Sequence, residues 1–471
     1  MNARIQTTKY LISDILASSA SWSLFYIFRK LYIESQKFGY TVPIEFTARF
    51  YWGVFLIPAF WVLIHYLSGY YKDIFRKSRL KELGKTFFTT LIGVTILFFT
   101  IILDDEIVTY HSYYQLFGAL FLLQFVLTYL PRVTITSITN NKIHSGEIGF
   151  NTIIIGSNKR ALDIFQKINN QIESTGHHFI GFVHIEERNN YLLNQHLSHL
   201  GGLELLSDLI SKNKIEEVII ALESSEHKEI EKIINLLDNT NVVIKAIPSM
   251  YDILTGKVKM NHIFGTPLIQ ISHDLMPTWQ QHLKQFLDIV LSLIALVLTS
   301  PLALFLILGI KLTSKGPVIY SHERIGKFGK PFTLYKFRSM YIDAESNGPA
   351  LSSKNDSRIT PFGKFMRKSK LDEVPNFINV LKGDMSLVGP RPERQYYIDR
   401  IVERAPHYLH LQKVKPGITS WGQVKYGYAE NVDQMIERLK YDILYIENMS
   451  LYVDFKIMIH TILTILKGRN I

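Results

Sequence analysis

The sequence predicts a membrane protein in three parts: an N-terminal four-helix transmembrane bundle, a Rossmann-like α/β domain, and an α-rich C-terminal domain. Three observations predict it. Hydrophobic residues make up 47% of the chain and are bunched into runs instead of being spread at helical or strand spacing, the mark of membrane segments joined to soluble parts. The middle of the chain alternates β-rich runs with helical periodicity. A fifth apolar run, at 286–310, opens the C-terminal part.

Four apolar stretches, at 11–33, 46–67, 86–103 and 113–130, each have about the length that spans a bilayer. The first lacks a small-residue cleavage site and is longer than a signal segment, so it is expected to be retained. The loop after the second stretch carries Lys72, Arg76, Lys77, Arg79, Lys81 and Lys85, whereas the loop after the third carries Asp104, Asp105 and Glu106. The positive-inside rule then puts the N-terminus, the basic loop and everything after Arg132 in the cytoplasm. A plain anchor is the expected role of the bundle, because intramembrane charges are few.

After a polar linker at 144–149, strands are expected at 152–155, 179–183, 217–221 and 242–247, with helices between them, as in a small doubly wound domain. A dinucleotide fingerprint needs a second glycine where the pyrophosphate approaches the backbone. The chain reads Gly156-Ser157-Asn158-Lys159-Arg160-Ala161, with Asn158 obstructing that place. A structural or regulatory role is therefore favoured over nucleotide binding.

The run at 286–310 is long enough to cross the membrane. Ser300-Pro301 interrupts it, and a mid-helix proline removes a hydrogen bond. Length alone favours a fifth crossing; the alternative is a re-entrant helix whose freed backbone groups are satisfied by side chains or protein. From Lys311 to Leu371 the chain then carries thirteen Lys or Arg against four Asp or Glu, which suits phosphates or an anionic membrane face. The formal charge of +11 points the same way, to an anionic partner. With no cysteine in the chain, disulfides, Cys-ligated metals and a Cys nucleophile are excluded.

The run Arg367-Lys368-Ser369-Lys370-Leu371-Asp372-Glu373-Val374-Pro375-Asn376 sets two adjacent carboxylates at the start of a helix expected to stop at Gly383. Anions are favoured at such a place, and a phosphate could also dock there. One carboxylate could attack phosphorus and the other hold Mg²⁺. Most such pairs are only charge complements of the helix.

Together with Lys336-Phe337-Arg338-Ser339-Met340, the stretch from Asn379 through Gly383-Asp384-Met385-Ser386-Leu387-Val388-Gly389-Pro390-Arg391-Pro392-Glu393, and Lys415-Pro416-Gly417-Ile418-Thr419, this run resembles the bacterial sugar transferases, or monotopic phosphoglycosyl transferases. The motifs extend from about Lys284 to the C-terminus, in the family's order. A four-span bundle followed by a degenerate Rossmann-like domain resembles the family's large form, whose members initiate exopolysaccharide, capsule or O-antigen assembly.

The resemblance implies transfer of a sugar 1-phosphate, with glucose the first guess and galactose the second, from a UDP-sugar to undecaprenyl phosphate with release of UMP. Asp372 matches the aspartate of the covalent phosphosugar intermediate, Glu373 the Mg²⁺-associated glutamate, Arg391 a phosphate-contacting arginine, and Ser300-Pro301 the break of a re-entrant helix. Arg338, Lys336 and Arg367 join them as phosphate-binding candidates by charge and proximity to the motifs. Ser420 departs from the glycine of many relatives, which weakens any inference about the sugar.

Nucleotide sugars are cytoplasmic, so the resemblance selects the re-entrant form of 286–310. The expected division is 1–142 for the bundle, 143–266 for the Rossmann-like module, 267–310 for a linker and the re-entrant membrane helix, and 311–471 for the catalytic domain. It implies a multi-pass protein of the bacterial cytoplasmic (inner) membrane, its catalytic domain on the cytoplasmic face. The implied partners are the two substrates and the lipid bilayer, with no nucleic acid; a homo-oligomer is compatible with it.

Two other readings stand beside this one. A membrane-anchored nucleotide-sugar dehydratase needs an intact glycine loop and a Tyr-x-x-x-Lys pair, but Tyr191 and Tyr251 are followed four places on by Gln195 and Thr255. A non-enzymatic scaffold or regulator of polysaccharide assembly predicts normal membrane assembly and no nucleotide release.

Overall fold

The computed structural model describes residues 3–102, 110–171, 174–187, 190–222, 227–237, 240, 242–248, 268–271, 275–344, 356–427 and 429–466. The acidic loop Asp104, Asp105 and Glu106, the dehydratase candidates Tyr251 and Thr255, and the expected boundary at 266/267 lie outside them. The chain forms two compact units, one holding the N-terminal helices and the other the α/β sheet with the C-terminal region.

The first unit contains α1 (Ala3–Phe28, continued by a π-helical turn at Arg29–Glu34), α2 (Ala48–Leu67), α3 (Arg79–Leu97) and α4 (Tyr110–His144). Each lies in a helical stretch long and apolar enough to cross a membrane, so the protein is a membrane protein. The expected boundary at 142/143 moves to the end of α4 at His144.

The bundle's interior holds a buried ion pair. Arg132 is fully buried and clasps Asp14 twice, Nε to Oδ1 at 2.8 Å and Nη2 to Oδ2 at 2.6 Å. Tyr71 donates to the same Oδ2 at 2.8 Å, and Arg132 lies 3.9 Å from the centre of the Tyr70 ring. Such a pair is tolerated in a dry interior because geometry and extra hydrogen bonds offset desolvation.

In the second unit, a six-stranded sheet has the order β3-β2-β1-β4-β5-β6. The four expected strands are all present, as β1 (Phe150–Ile155), β2 (His177–His184), β4 (Glu217–Ile220) and β5 (Val243–Ala246). Two short strands add to them. β3 (His199–Gly202) holds one histidine, one leucine and two glycines, and β6 (Ile269–Ile271) has three residues; neither offers enough alternation to be read from sequence. β6 pairs antiparallel with β5, so the sheet reaches past the expected module end at 266.

The glycine loop is closed by its own side chain. Asn158 Oδ1 accepts from Ala161 N at 3.0 Å, at the start of α5 (Lys159–Asn169), which occupies a backbone donor that a pyrophosphate would otherwise engage. Two further helices, α6 (Leu206–Lys212) and α7 (His227–Leu237), complete the domain.

The C-terminal region begins with α8 (Thr278–Thr313), which stays helical through Pro301. Helical backbone thus continues across the expected break at Ser300-Pro301, and Ser300 supplies the reason. Proline leaves the carbonyl four residues back without its donor, and the Ser300 hydroxyl donates to that carbonyl, of Val297, at 2.7 Å.

Both flanks of α8 are fastened to the same domain. Asp288 accepts from Ser386 Oγ at 2.7 Å and Leu387 N at 3.1 Å, and Lys284 donates to Asp454 at 2.6 Å. Further along, Leu306 and Ile310 pack with Phe337, Met366 and Val374. Between the anchors, Leu293, Val297, Leu298, Leu304 and Phe305 are exposed apolar side chains.

The rest of the domain is the hairpin β7 (Ile319–Ile325) and β8 (Pro331–Phe337), α9 (Pro361–Lys368), α10 (Asn376–Lys382), β9 (Ser386–Val388), α11 (Gln395–Val402), β10 (Gly417–Thr419), α12 (Trp421–Lys425), α13 (Val432–Glu447) and α14 (Leu451–Leu466). Its largest core joins α11, α13 and α14 through Ile398, Ile401, Leu439, Ile446 and Ile457. On α14 the opposite stripe, Tyr452, Phe455, Ile459 and Ile462, is exposed, so this helix has one packed face and one face suited to a bilayer interface.

Candidate active site

Three devices assemble the site. In the first, Thr360 caps α9 by accepting from Gly363 N at 2.9 Å, with Pro361 at the first helical position. After α9, Lys370 takes a left-handed conformation, φ 58°, which costs a non-glycine residue about 1–3 kcal/mol. The chain then makes a tight turn over Leu371–Glu373 and enters α10, which closes on left-handed Gly383 as expected.

The second device explains why two separated motifs both contain glycine. Gly389 N donates to Thr419 O at 3.0 Å and Gly417 N to Pro390 O at 2.9 Å. A Cβ on Gly389 would collide with the Lys415 carbonyl, and one on Gly417 with the Gly389 backbone. Only glycine allows that approach, which fixes the loop carrying Arg391.

A buried ionic clamp is the third. Arg324 donates to Glu393 at 2.9 Å and to the Pro392 carbonyl at 3.0 Å, and Arg438 reaches the other oxygen of Glu393 at 2.8 Å. Burial alone would raise the Glu393 pKa, but Arg324 and Arg438 outweigh it and hold the carboxyl below its ordinary range.

Asp372 is buried, and its Oδ1 has no hydrogen-bond partner. Burial pushes its carboxyl above the ordinary aspartate value, against the opposing pull of Lys336 and with a further push from Glu373. Glu373 behaves oppositely: burial would raise it, but Lys336, Arg391 and Lys370 together hold it well below its usual range. Lys336 Nζ meets Glu373 Oε1 at 2.5 Å, and Arg391 Nη2 lies 3.6 Å from the same oxygen. The adjacent carboxylates are thus pushed in opposite directions, Asp372 up and Glu373 down.

The structure therefore brings together Asp372, Glu373, Lys336 and Arg391. Arg367 is tied by Nε to Ser339 Oγ at 2.8 Å, and its charge still lowers the Asp372 carboxyl. Arg338 is placed elsewhere. Its guanidinium donates to the Ser314 and Lys315 carbonyls, each at 2.9 Å, and so caps the end of α8; this geometry does not support its expected phosphate contact. Ser420 caps α12, its hydroxyl accepting from Gln423 N at 3.0 Å. Sequence reasoning missed His322, Arg324, Glu393 and Arg438. Period-two spacing of Tyr320, His322 and Arg324 along β7 was the available signal.

A helical membrane bundle, an α/β sheet and a carboxylate pair flanked by Lys336 and Arg391 define a membrane protein with a buried, charge-dense site. The chain belongs to the bacterial sugar transferase family. That family's sequence profile matches residues 279–468, and undecaprenyl-phosphate galactose phosphotransferase of Salmonella typhimurium is 31% identical over 67% of this chain and 68% of its own length. UDP-N-acetylgalactosamine-undecaprenyl-phosphate N-acetylgalactosaminephosphotransferase of Aeromonas hydrophila is 40% identical over 48% of this chain and 53% of its own. UDP-glucose:undecaprenyl-phosphate glucose-1-phosphate transferase of Escherichia coli is 34% identical over 57% and 58%. The chain thus spans little more than half the length of the last two. A second profile, described as a CoA-binding domain, matches residues 66–248, a segment that includes the degenerate glycine loop and strands β1 to β5.

Proposed function

We propose that this protein transfers a sugar 1-phosphate from a UDP-sugar to undecaprenyl phosphate and so initiates assembly of a surface polysaccharide. The observation that carries the reading is the buried Asp372 carboxyl with an unpartnered oxygen, beside a Glu373 held ionised by Lys336 and Arg391. In the first step an Asp372 oxygen attacks the sugar-bearing phosphorus, and the bond to UMP breaks with its electron pair leaving on UMP. In the second, an oxygen of the lipid phosphate attacks the same phosphorus, releases the carboxylate and forms the lipid diphosphate sugar. A covalent relay avoids holding two differently solvated substrates in one attack geometry. Lys336 and Arg391 balance charge on the phosphoryl oxygens.

The donor set fits Mg²⁺. Asp372 Oδ1 and Asn376 Oδ1 are buried oxygens without protein partners, and Mg²⁺ is commonly held by one or two carboxylates plus substrate phosphates. Glu373, with Asp372, would hold it, and bound there it would neutralise phosphate charge.

Incubation with labelled UDP-sugar and no lipid, followed by peptide mapping, tests the covalent step. Label on Asp372 is expected; label elsewhere, or UMP release only when both substrates are present, overturns it. Glucose is the first donor to try. The names of the Aeromonas and Salmonella relatives place N-acetylgalactosamine and galactose beside it in the panel.

The same reading makes α8 re-entrant and keeps the site on the cytoplasmic face of the inner membrane. Anchoring of both α8 flanks to one domain, with exposed apolar side chains between, supports it. Because the chain has no cysteine, Lys81→Cys and Lys440→Cys each give a unique label site. Both are expected to label from the cytoplasm; opposite sides would mean that α8 crosses.

A further inference from the structure

In the hairpin that carries Lys336, β7 presents a histidine that the proposed reaction leaves unused. Tyr320, His322 and Arg324 alternate along β7, and the hairpin register sets Tyr320 directly opposite Lys336 and His322 opposite Leu334. The Arg324 Nε donates to His322 Nε2 at 2.8 Å. An arginine nitrogen can only donate, so Nε2 must accept and the ring proton must sit on Nδ1. That Nδ1 is buried and has no hydrogen-bond partner.

The surroundings favour one class of acceptor. Burial together with Arg324, Arg394, Lys336 and Arg391 depresses the His322 pKa to about 2, so the ring is neutral and keeps the single tautomer that Arg324 dictates. Arg391 lies 3.6 Å from Glu373, and Arg394 donates to the Tyr320 hydroxyl at 3.0 Å. An unpaired buried donor costs about 1–3 kcal/mol; amid this positive potential, an anionic oxygen relieves that cost better than a neutral one. A neutral donor also adds direction without a further charge to desolvate.

We propose that His322, through Nδ1–H, binds a phosphate oxygen of the substrates, either in the donor diphosphate or in the lipid phosphate. This rests on the transferase reading above. His322 is then a binding residue of the phosphate subsite, and Arg324 is the positioning residue that fixes its tautomer.

The test uses the full chain in nanodiscs. His322→Phe keeps a ring and removes the donor; His322→Gln keeps one donor and one acceptor. KM is measured separately for UDP-sugar and for undecaprenyl phosphate, and UMP and inorganic pyrophosphate are titrated calorimetrically. His322→Phe is expected to weaken one ligand by about tenfold to a hundredfold, the loss of one hydrogen bond to a charged group, and His322→Gln by less than about threefold. Weakened UMP and donor binding assigns the oxygen to the donor, whereas a change confined to the lipid KM assigns it to the acceptor.

Unchanged binding of every ligand in a folded His322→Phe chain overturns the inference, as does equal damage from both variants, which would mean a packing role. His322→Met replaces the phenyl variant if that does not fold. Absence of UMP release by the unaltered chain would instead refute the transferase reading, and the pyrophosphate titration would still decide whether His322 binds phosphate oxygen.

Discussion

Asp14 and Asp372 are both withdrawn from solvent, one among the apolar helices of the bundle and the other in the C-terminal region. Asp14 has both oxygens taken by Arg132 and one also by Tyr71. Asp372 keeps an oxygen with no partner, while Lys336, the cation that most lowers its carboxyl, bonds to Glu373 instead. A saturated carboxylate has no valence left for chemistry and acts as a rivet. One left partly unsatisfied in a dry, cationic setting is destabilised in place and available to a ligand.

The sharpest way to break this contrast is Asp372→Asn. UMP release should fall on the order of 10⁴-fold or more, and the trapped adduct should vanish, with little change in the unfolding midpoint. Substantial turnover in that variant would remove the contrast altogether. Asp14→Leu should show the reverse pattern. It leaves Arg132 buried without its counter-charge, at a cost of about 3–5 kcal/mol, read as a lowered unfolding midpoint and poor recovery in detergent. The double change Asp14→Leu with Arg132→Leu should regain most of the loss; no regain would mean that the two residues do not act as a pair.

Acidity offers a finer probe. Attack requires the ionised carboxyl, and the Asp372 pKa is raised from 3.8, so the acidic limb of kcat/KM should lie above the ordinary aspartate range, activity falling as pH drops through it. Glu373 contributes to that rise by like-charge repulsion. In Glu373→Gln the limb should therefore move to lower pH, even as turnover and Mg²⁺ dependence weaken. An upward movement would contradict the assigned coupling. The smallest effect is expected from Asn158→Ala in the glycine loop, which removes a helix cap worth about 1 kcal/mol and should leave UMP release unchanged. A marked loss of turnover would give the α/β module a part in the chemistry.

Much of the architecture was legible because it rests on short-range patterns. Apolar runs announced the four N-terminal helices, and strand periodicity announced β1, β2, β4 and β5. Gly383 announced the end of α10. What stayed hidden depends on distant partners. Nothing local joins Asp14 to Arg132, 118 positions apart, so the bundle looked like a plain anchor. Arg338 had the charge and motif context of a phosphate ligand, yet three of its hydrogen bonds go to Ser314 and Lys315. Conversely, His322 carried no motif. Its meaning comes from Arg324 two residues on and from cations supplied by β8 and the loop after β9.

The facing glycines at 389 and 417 also bear on how such a protein can diverge. Their main chains touch where any side chain would intrude, so the arginine-bearing loop is located by peptide geometry instead of by neighbouring side chains. Substitutions around it can accumulate without displacing the guanidinium, whereas neither glycine can be exchanged alone, and exchanging both only doubles the collision. A lineage can thus exchange the side chains around this loop while inheriting an unchanged placement of Arg391.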